Sequence, residues 1–196
     1  VPYNPDKHHR RSIRLKGYNY SSAGAYFITL CTFQRQCLFG RIIDGAMQLN
    51  ECGQIIAEEW LQSSSIRQEI DFDQWVIMPN HLHGIVLINP THLVGVHGRI
   101  VGANGRLPLQ RTGHSQRVVP PMKPRSLSSF IAGFKSATTK RINTARNSPR
   151  TPVWQRNYYD HIIRSEESLQ RIQQYIQNNP ATWQNDQLNP SNPSKF

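Results

Sequence analysis

The sequence predicts an α+β fold built on one largely antiparallel sheet, and two observations carry that expectation. Segments rich in β-branched and aromatic residues alternate with segments of helical periodicity, in the order strand, helix, strand, strand, helix, strand, helix. The second and third strands are separated only by Pro79-Asn80, which is too short for a parallel crossover and suits a hairpin.

Each element follows from its residues. Ala25 to Phe33 (AYFITLCTF) has the composition of a buried strand. Gly40 to Met47 reads as a turn with a short extended piece. Asn50 is placed to cap a helix from Glu51 to about Leu61, with an acid at its positive end and Ile55, Ile56 and Trp60 at helical spacing. Glu69 to Met78 and His81 to Ile88 read as the paired strands. Ser126 caps a helix running through Leu127, Phe130, Ile131 and Phe134 to about Ile142. Val153 to Arg164 reads as a strand. Ser165 caps a final helix with Leu169, Ile172 and Ile176 as its apolar stripe, stopped by Pro180. A β-α-β-β-α-β unit is the ferredoxin-like pattern, here with helices on one face of the sheet and an extra C-terminal helix. The expected organisation is a basic arm over residues 1–22, a folded domain over 23–183 with a long basic loop at 89–125, and an Asn-, Pro- and Ser-rich disordered tail over 184–196.

Charge narrows the function class. Of 196 residues, 23 are Lys or Arg and 12 are Asp or Glu, for a net charge of +11. No acid occurs between Gln74 and Tyr159, a stretch rich in Arg and Lys. A one-signed field of this kind attracts polyanions. The basic residues Arg10, Arg11, Arg14, Lys16, Arg125, Lys135, Lys140, Arg141 and Arg156 are the candidate nucleic-acid contacts, with Tyr3, Tyr18 and Tyr20 in the arm available for base stacking. Cys31, Cys37 and Cys52 lack zinc-like spacing and are odd in number, which suits free thiols in a reducing cytoplasm. No apolar run reaches the ~18 residues that span a bilayer, and Val1 to Lys16 lacks the apolar stretch of a secretory signal.

The chemistry centres on His81-Leu82-His83. Strand side chains alternate between faces, so the two imidazoles share one face and Leu82 takes the other. Two adjacent imidazoles can hold a metal ion, although a structural histidine pair has the same pattern. On the last helix, Tyr175 and Asn179 are four residues apart and project together, beside the apolar stripe. If that helix face meets the histidines, the set suits metal-assisted attack of a phenol on a phosphodiester. Packing alone also accounts for a tyrosine on an amphipathic helix. Tyr158 and Tyr159 are rival nucleophiles on the preceding strand.

The stretch Met78-Pro79-Asn80-His81-Leu82-His83-Gly84-Ile85-Val86 resembles the HUH signature of the single-tyrosine transposases. Arg11-Ser12-Ile13-Arg14-Leu15, Tyr26-Phe27-Ile28-Thr29-Leu30-Cys31-Thr32, Phe134-Lys135-Ser136, Val153 to His161 and Tyr175-Ile176-Gln177-Asn178-Asn179-Pro180 are similar to the REP-associated tyrosine transposase branch (RAYT). The resemblance runs from about Arg10 to about Trp183. It implies that His81 and His83 are metal ligands, that Asn179 is a polar third ligand, and that Tyr175 is the nucleophile. It also implies a magnesium or manganese cofactor. Its substrate would be single-stranded DNA carrying hairpins, cut and rejoined through a 5′-phosphotyrosine by a cytoplasmic monomer or homodimer with no membrane association. Two other functions fit the same residues: a domesticated module that binds hairpin DNA or RNA without cutting, and a hydrolytic nuclease that leaves free ends.

Overall fold

The computed structural model describes residues 15, 17–89 and 125–192. Within them the expected α+β architecture is present. Strand β1 (Gly24–Cys31) lies inside a four-stranded sheet, with β4 (Ile70–Met78), β5 (His81–Ile88) and β6 (Tyr159–Ile163) in the order β4-β5-β1-β6. All its pairings are antiparallel. A separate hairpin of β2 (Gly40–Ile43) and β3 (Ala46–Leu49) follows β1, where the sequence indicated a turn and a short extended piece.

The helices are α1 (Glu51–Ile66), α2 (Leu127–Ala145) and α3 (Glu166–Asn178), each entered through the residue expected to cap it. Asn50 Oδ1 accepts from the Gly53 amide at 3.0 Å, Ser126 Oγ from Ser129 at 3.3 Å, and Ser165 Oγ from Ser168 at 3.2 Å. These bonds satisfy amides that a helix start leaves without partners.

The two faces of the sheet carry different helices. Tyr26, Ile28, Leu30, Leu82, Val86 and Ile88 pack with Ile56 and Trp60 of α1 and with Phe130, Ile131, Phe134 and Ile142 of α2. The other face, with Phe27 and Ile85, is covered by Ile176, Leu169 and Ile172 of α3. Strand alternation therefore sends Leu82 into the main core and both histidines toward α3. Gly84 breaks the apolar pattern because Trp60 lies over it: a Cβ there would stand 2.7 Å from the indole.

Three expectations are revised. The last strand is shorter than residues 153–164 suggested. The regular ladder with β1 covers Tyr159–Ile163. Before it the Gln155 amide still donates to the Cys31 carbonyl at 2.9 Å and Trp154 bridges to Thr32, while the Lys135 ammonium takes the carbonyls of Gln155 (2.8 Å) and Asn157 (3.0 Å) and interrupts the strand. Trp154 is instead buried in the connection, its indole N–H donating to Thr138 Oγ1 at 2.9 Å. Tyr18 and Tyr20, expected in a free arm, pack on Tyr26 with ring centroids 6.4 Å and 6.0 Å from it. Residues 184–192, expected to be disordered, form hydrogen-bonded turns. Asp186 Oδ1 accepts from Leu188 N (2.7 Å) and Asn189 Oδ1 from Ser191 N (3.0 Å). The Asn and Asp side chains that made this segment look unstructured close its turns. Most of the 89–125 loop and of the 1–22 arm lies outside the described residues.

Candidate metal and nucleophile site

The site opens at the start of β5, where pairing with β1 sets Thr29 opposite His83 and Cys31 opposite His81. Both histidines are buried, at 0% and 2% exposure, with ring centroids 4.4 Å apart. Each ring is oriented through its Nδ1. That of His83 lies 2.8 Å from Thr29 Oγ1, and that of His81 lies 2.8 Å from Asn80 Oδ1. The Asn80 oxygen, an acceptor, selects for His81 the tautomer whose Nε2 carries the lone pair, as metal-binding histidines require, and the Thr29 hydroxyl permits the same tautomer in His83. Burial pushes both imidazoles down, His83 to about 3 and His81 well below its ordinary value, the latter helped by its neighbour. Both rings are therefore neutral at physiological pH.

Asn80 connects this site to two other segments. It is 1% exposed. Its Oδ1 accepts from His81 Nδ1, and its Nδ2 donates to the carbonyls of Arg35 (3.1 Å) and Leu188 (2.7 Å).

Helix α3 brings the tyrosine. Its apolar stripe seats on Phe27 and Ile85, and Tyr175, next to Ile176, falls at the edge of that contact. The Tyr175 ring stands edge-on to Phe27 (6.1 Å) and His83 (5.2 Å), and its hydroxyl lies 3.2 Å from His83 Nε2. Burial pushes this phenol up, the Asp186 charge adds to the rise, and the Asn179 amide opposes it. One turn on, Asn179 is 2% exposed, at the C-cap of α3.

Sequence reasoning missed Asp186. Its Oδ2 lies 3.8 Å from His81 Nε2, delivered by the turns after α3. Burial pushes its carboxyl up, while the Leu188 amide, Asn179 and Arg35 pull it down. Ligand atoms of His81, His83 and Asp186 all lie within 4.8 Å of one another. His81 Nε2, Asn179 Oδ1 and Asp186 Oδ2 are each buried without a hydrogen-bond partner. Buried acceptors left unpaired are costly, and a shared cation satisfies them together. The donor set of neutral nitrogens, a carboxylate and an amide fits a divalent metal.

A Haemophilus influenzae protein, described as uncharacterized, is 44% identical over 186 residues, covering 95% of this chain and 96% of its own length. The chain belongs to that protein's family. No family model matches it. A solved structure, a REP-associated tyrosine transposase bound to a REP hairpin, aligns with a TM-score of 0.53 at 16% identity, over 94% of this chain and 91% of the other. The chain has the fold of a REP-associated tyrosine transposase.

Within that RAYT fold the other candidates scatter. Tyr159 is 46% exposed and meets Phe27 edge-on at 6.2 Å, while Tyr158 lies 5.7 Å from Lys135 Nζ. Thr29, Asn80 and Tyr175 hydrogen-bond the two histidine rings. Among the basic residues, Arg125, Lys140 and Arg156 are exposed. Lys135 is spent on backbone carbonyls, and Arg141 pairs with Glu58 and, at 3.0 Å, with Glu59. Arg10, Arg11, Arg14 and Lys16 lie outside the described residues.

Proposed function

We propose that this protein is a single-tyrosine transposase that nicks hairpin-bearing single-stranded DNA and rejoins it through Tyr175. The observation that carries the reading is the Tyr175 hydroxyl, 3.2 Å from His83 Nε2 and beside the buried cluster of His81 and Asp186. The resemblance of the histidine and tyrosine segments, the shared fold and the +11 charge support it. The domain responsible spans 23–183, joined functionally by the 184–192 turns that supply Asp186. Such a protein works where chromosomal DNA lies, in the cytoplasm.

His81, His83, Asp186 and Asn179 would hold the metal, magnesium or manganese. When bound, the ion would polarise the non-bridging oxygens of the scissile phosphate. The chain's own residues do the rest. Tyr175 Oη attacks phosphorus, so the Oη–P bond forms and the P–O3′ bond breaks. The phenol gives up its proton and the departing 3′-oxygen takes one up. The strand end stays on the enzyme as a 5′-phosphotyrosine, which keeps the energy of the diester, and a later 3′-hydroxyl reverses the step without a nucleotide cofactor. Phe27, Ile85 and Ile176 wall the site on its apolar side.

The test is an adduct gel: purified protein, hairpin-bearing single-stranded DNA and manganese. A covalent protein–DNA band is expected for the wild type, with none for Tyr175→Phe or His81→Ala. An undiminished band from Tyr175→Phe would refute the nucleophile. Hairpin binding that survives chelation, with no adduct or cut strand, would favour the non-cleaving module, and free ends without an adduct would favour the hydrolytic nuclease.

A further inference from the structure

The turn between β1 and β2 takes no part in the chemistry above, yet its backbone is held in an unfavourable shape beside it. Gln34 and Arg35 both sit in the left-handed region, at φ 54° and 56°. Residues of these types rarely adopt that conformation unless their surroundings impose it. Here the surroundings impose it. The Arg35 carbonyl accepts from Asn80 Nδ2 at 3.1 Å, and the Phe33 amide donates to the Val153 carbonyl at 2.8 Å. Buried Thr32 donates its hydroxyl to the carbonyls of Gln36 (2.8 Å) and Asn80 (3.0 Å). The amide that orients His81 therefore also fixes this turn.

The turn presents an aromatic ring and a cation. Phe33 is 38% exposed and belongs to neither apolar core. The Arg35 side chain is half-buried, and its one hydrogen bond among the described residues is long, 3.4 Å to the Gln187 carbonyl. That leaves most of its five N–H donors unspent. The guanidinium also lies within electrostatic reach of the cluster: it draws the Asp186 carboxyl and the Cys31 thiol down, against the upward push of burial on each.

We propose that Phe33 and Arg35 form a subsite for one nucleotide flanking the scissile phosphate of a single-stranded DNA, a proposal that rests on the function given above. The Phe33 ring stacks on the unpaired base, and the Arg35 guanidinium pairs with the neighbouring phosphate. Stacking of this kind tolerates any base, and a planar guanidinium matches phosphate with paired donors. A turn already locked in its bound shape loses little freedom on binding.

The test titrates the full-length chain, with manganese, into a short oligothymidylate carrying one fluorescent purine. Phe33→Leu keeps an apolar side chain and loses the stacking face. It is expected to weaken binding about tenfold and to abolish the quenching of the purine, and Phe33→Trp restores both. Arg35→Ala keeps the Cβ, and so the same backbone demand. It is expected to weaken binding comparably and to lower the slope of log affinity against log salt by about 0.7, while Arg35→Lys keeps the slope. Manganese affinity measured without DNA stays at the wild-type value in both Phe33 variants and in Arg35→Lys, which keeps the charge near Asp186. Wild-type affinity, quenching and salt slope in Phe33→Leu and Arg35→Ala would overturn the subsite and leave the transposase reading standing. So would a fall in manganese affinity that tracks the DNA effect, because the turn would then act only through the metal site. A wild-type chain that binds no single strand would sink the transposase reading and the subsite with it.

Discussion

At the scale of single residues, Asn80 and Tyr175 constrain the histidines from opposite sides. Asn80 faces His81 Nδ1, the Arg35 carbonyl and the Leu188 carbonyl at once. Asn80→Ala therefore leaves three polar groups without this partner, and leaves His81 free to turn. A partner behind a metal-binding histidine typically accounts for 10–100-fold in affinity, so manganese binding by calorimetry is expected to weaken about that much. Unchanged affinity would show that the His81 ring is set by something else. Tyr175 acts in the other direction. Its hydroxyl occupies the lone pair of His83 Nε2 that a metal would use. Tyr175→Phe is expected to bind manganese as well as the wild type or more tightly, while losing the covalent adduct. Loss of both would recast the phenol as a ligand and leave the nucleophile unassigned.

At the scale of elements, β5 has to serve two helix layers at once. Leu82, Val86 and Ile88 enter the core under α1 and α2, and Gly84 leaves room for Trp60. Gly84→Val forces the indole or the strand to move, and overpacking of this kind costs about 1–3 kcal/mol. The expected readout is a melting temperature several degrees lower, with a matching fall in manganese affinity because His83 is adjacent. An unchanged melting temperature would mean that α1 shifts freely on the sheet. Helix α2 carries a second constraint. Burial pushes Lys135 down to about 8, even though the two carbonyls and the Tyr158 ring favour its charged form. Between about 8 and the ordinary lysine value, the unfolded chain binds a proton that the folded chain has released. Folding stability therefore rises with pH through that window. Denaturant midpoints of the wild type, taken relative to Lys135→Met, are expected to climb between those limits, and a flat difference would contradict it.

At the scale of the whole molecule, the phenol, both imidazoles, Asn179 and Asp186 on which the proposed chemistry draws all come from one chain. A mixture of Tyr175→Phe and His81→Ala proteins is accordingly expected to form no adduct, and an adduct restored by mixing would mean that the tyrosine serves a partner's histidines. The basic surface also differs from a simple count of charges. Arg141 is neutralised by Glu58 and Glu59, and Lys135 is turned inward, which leaves Arg125, Lys140 and Arg156 exposed among the described candidates.

What the sequence determined by itself is whatever depends on near neighbours. The strand period of two sets both histidines on one face, the helix period of 3.6 sets Tyr175 above Asn179, and the cap residues set where the three helices begin. The short Pro79-Asn80 link also sets β4 beside β5. Only the tertiary structure decided the rest: that α3 covers the histidine face, that Asp186 returns from an unpromising polar segment to complete the cluster, that Asn80 ties His81 to the Arg35 turn, and that Lys135 ends the last strand early. These contacts join residues that are far apart along the chain. No local periodicity encodes them, because what selects the partner is the cost of burying an unpaired polar group once the sheet and helices have closed around it.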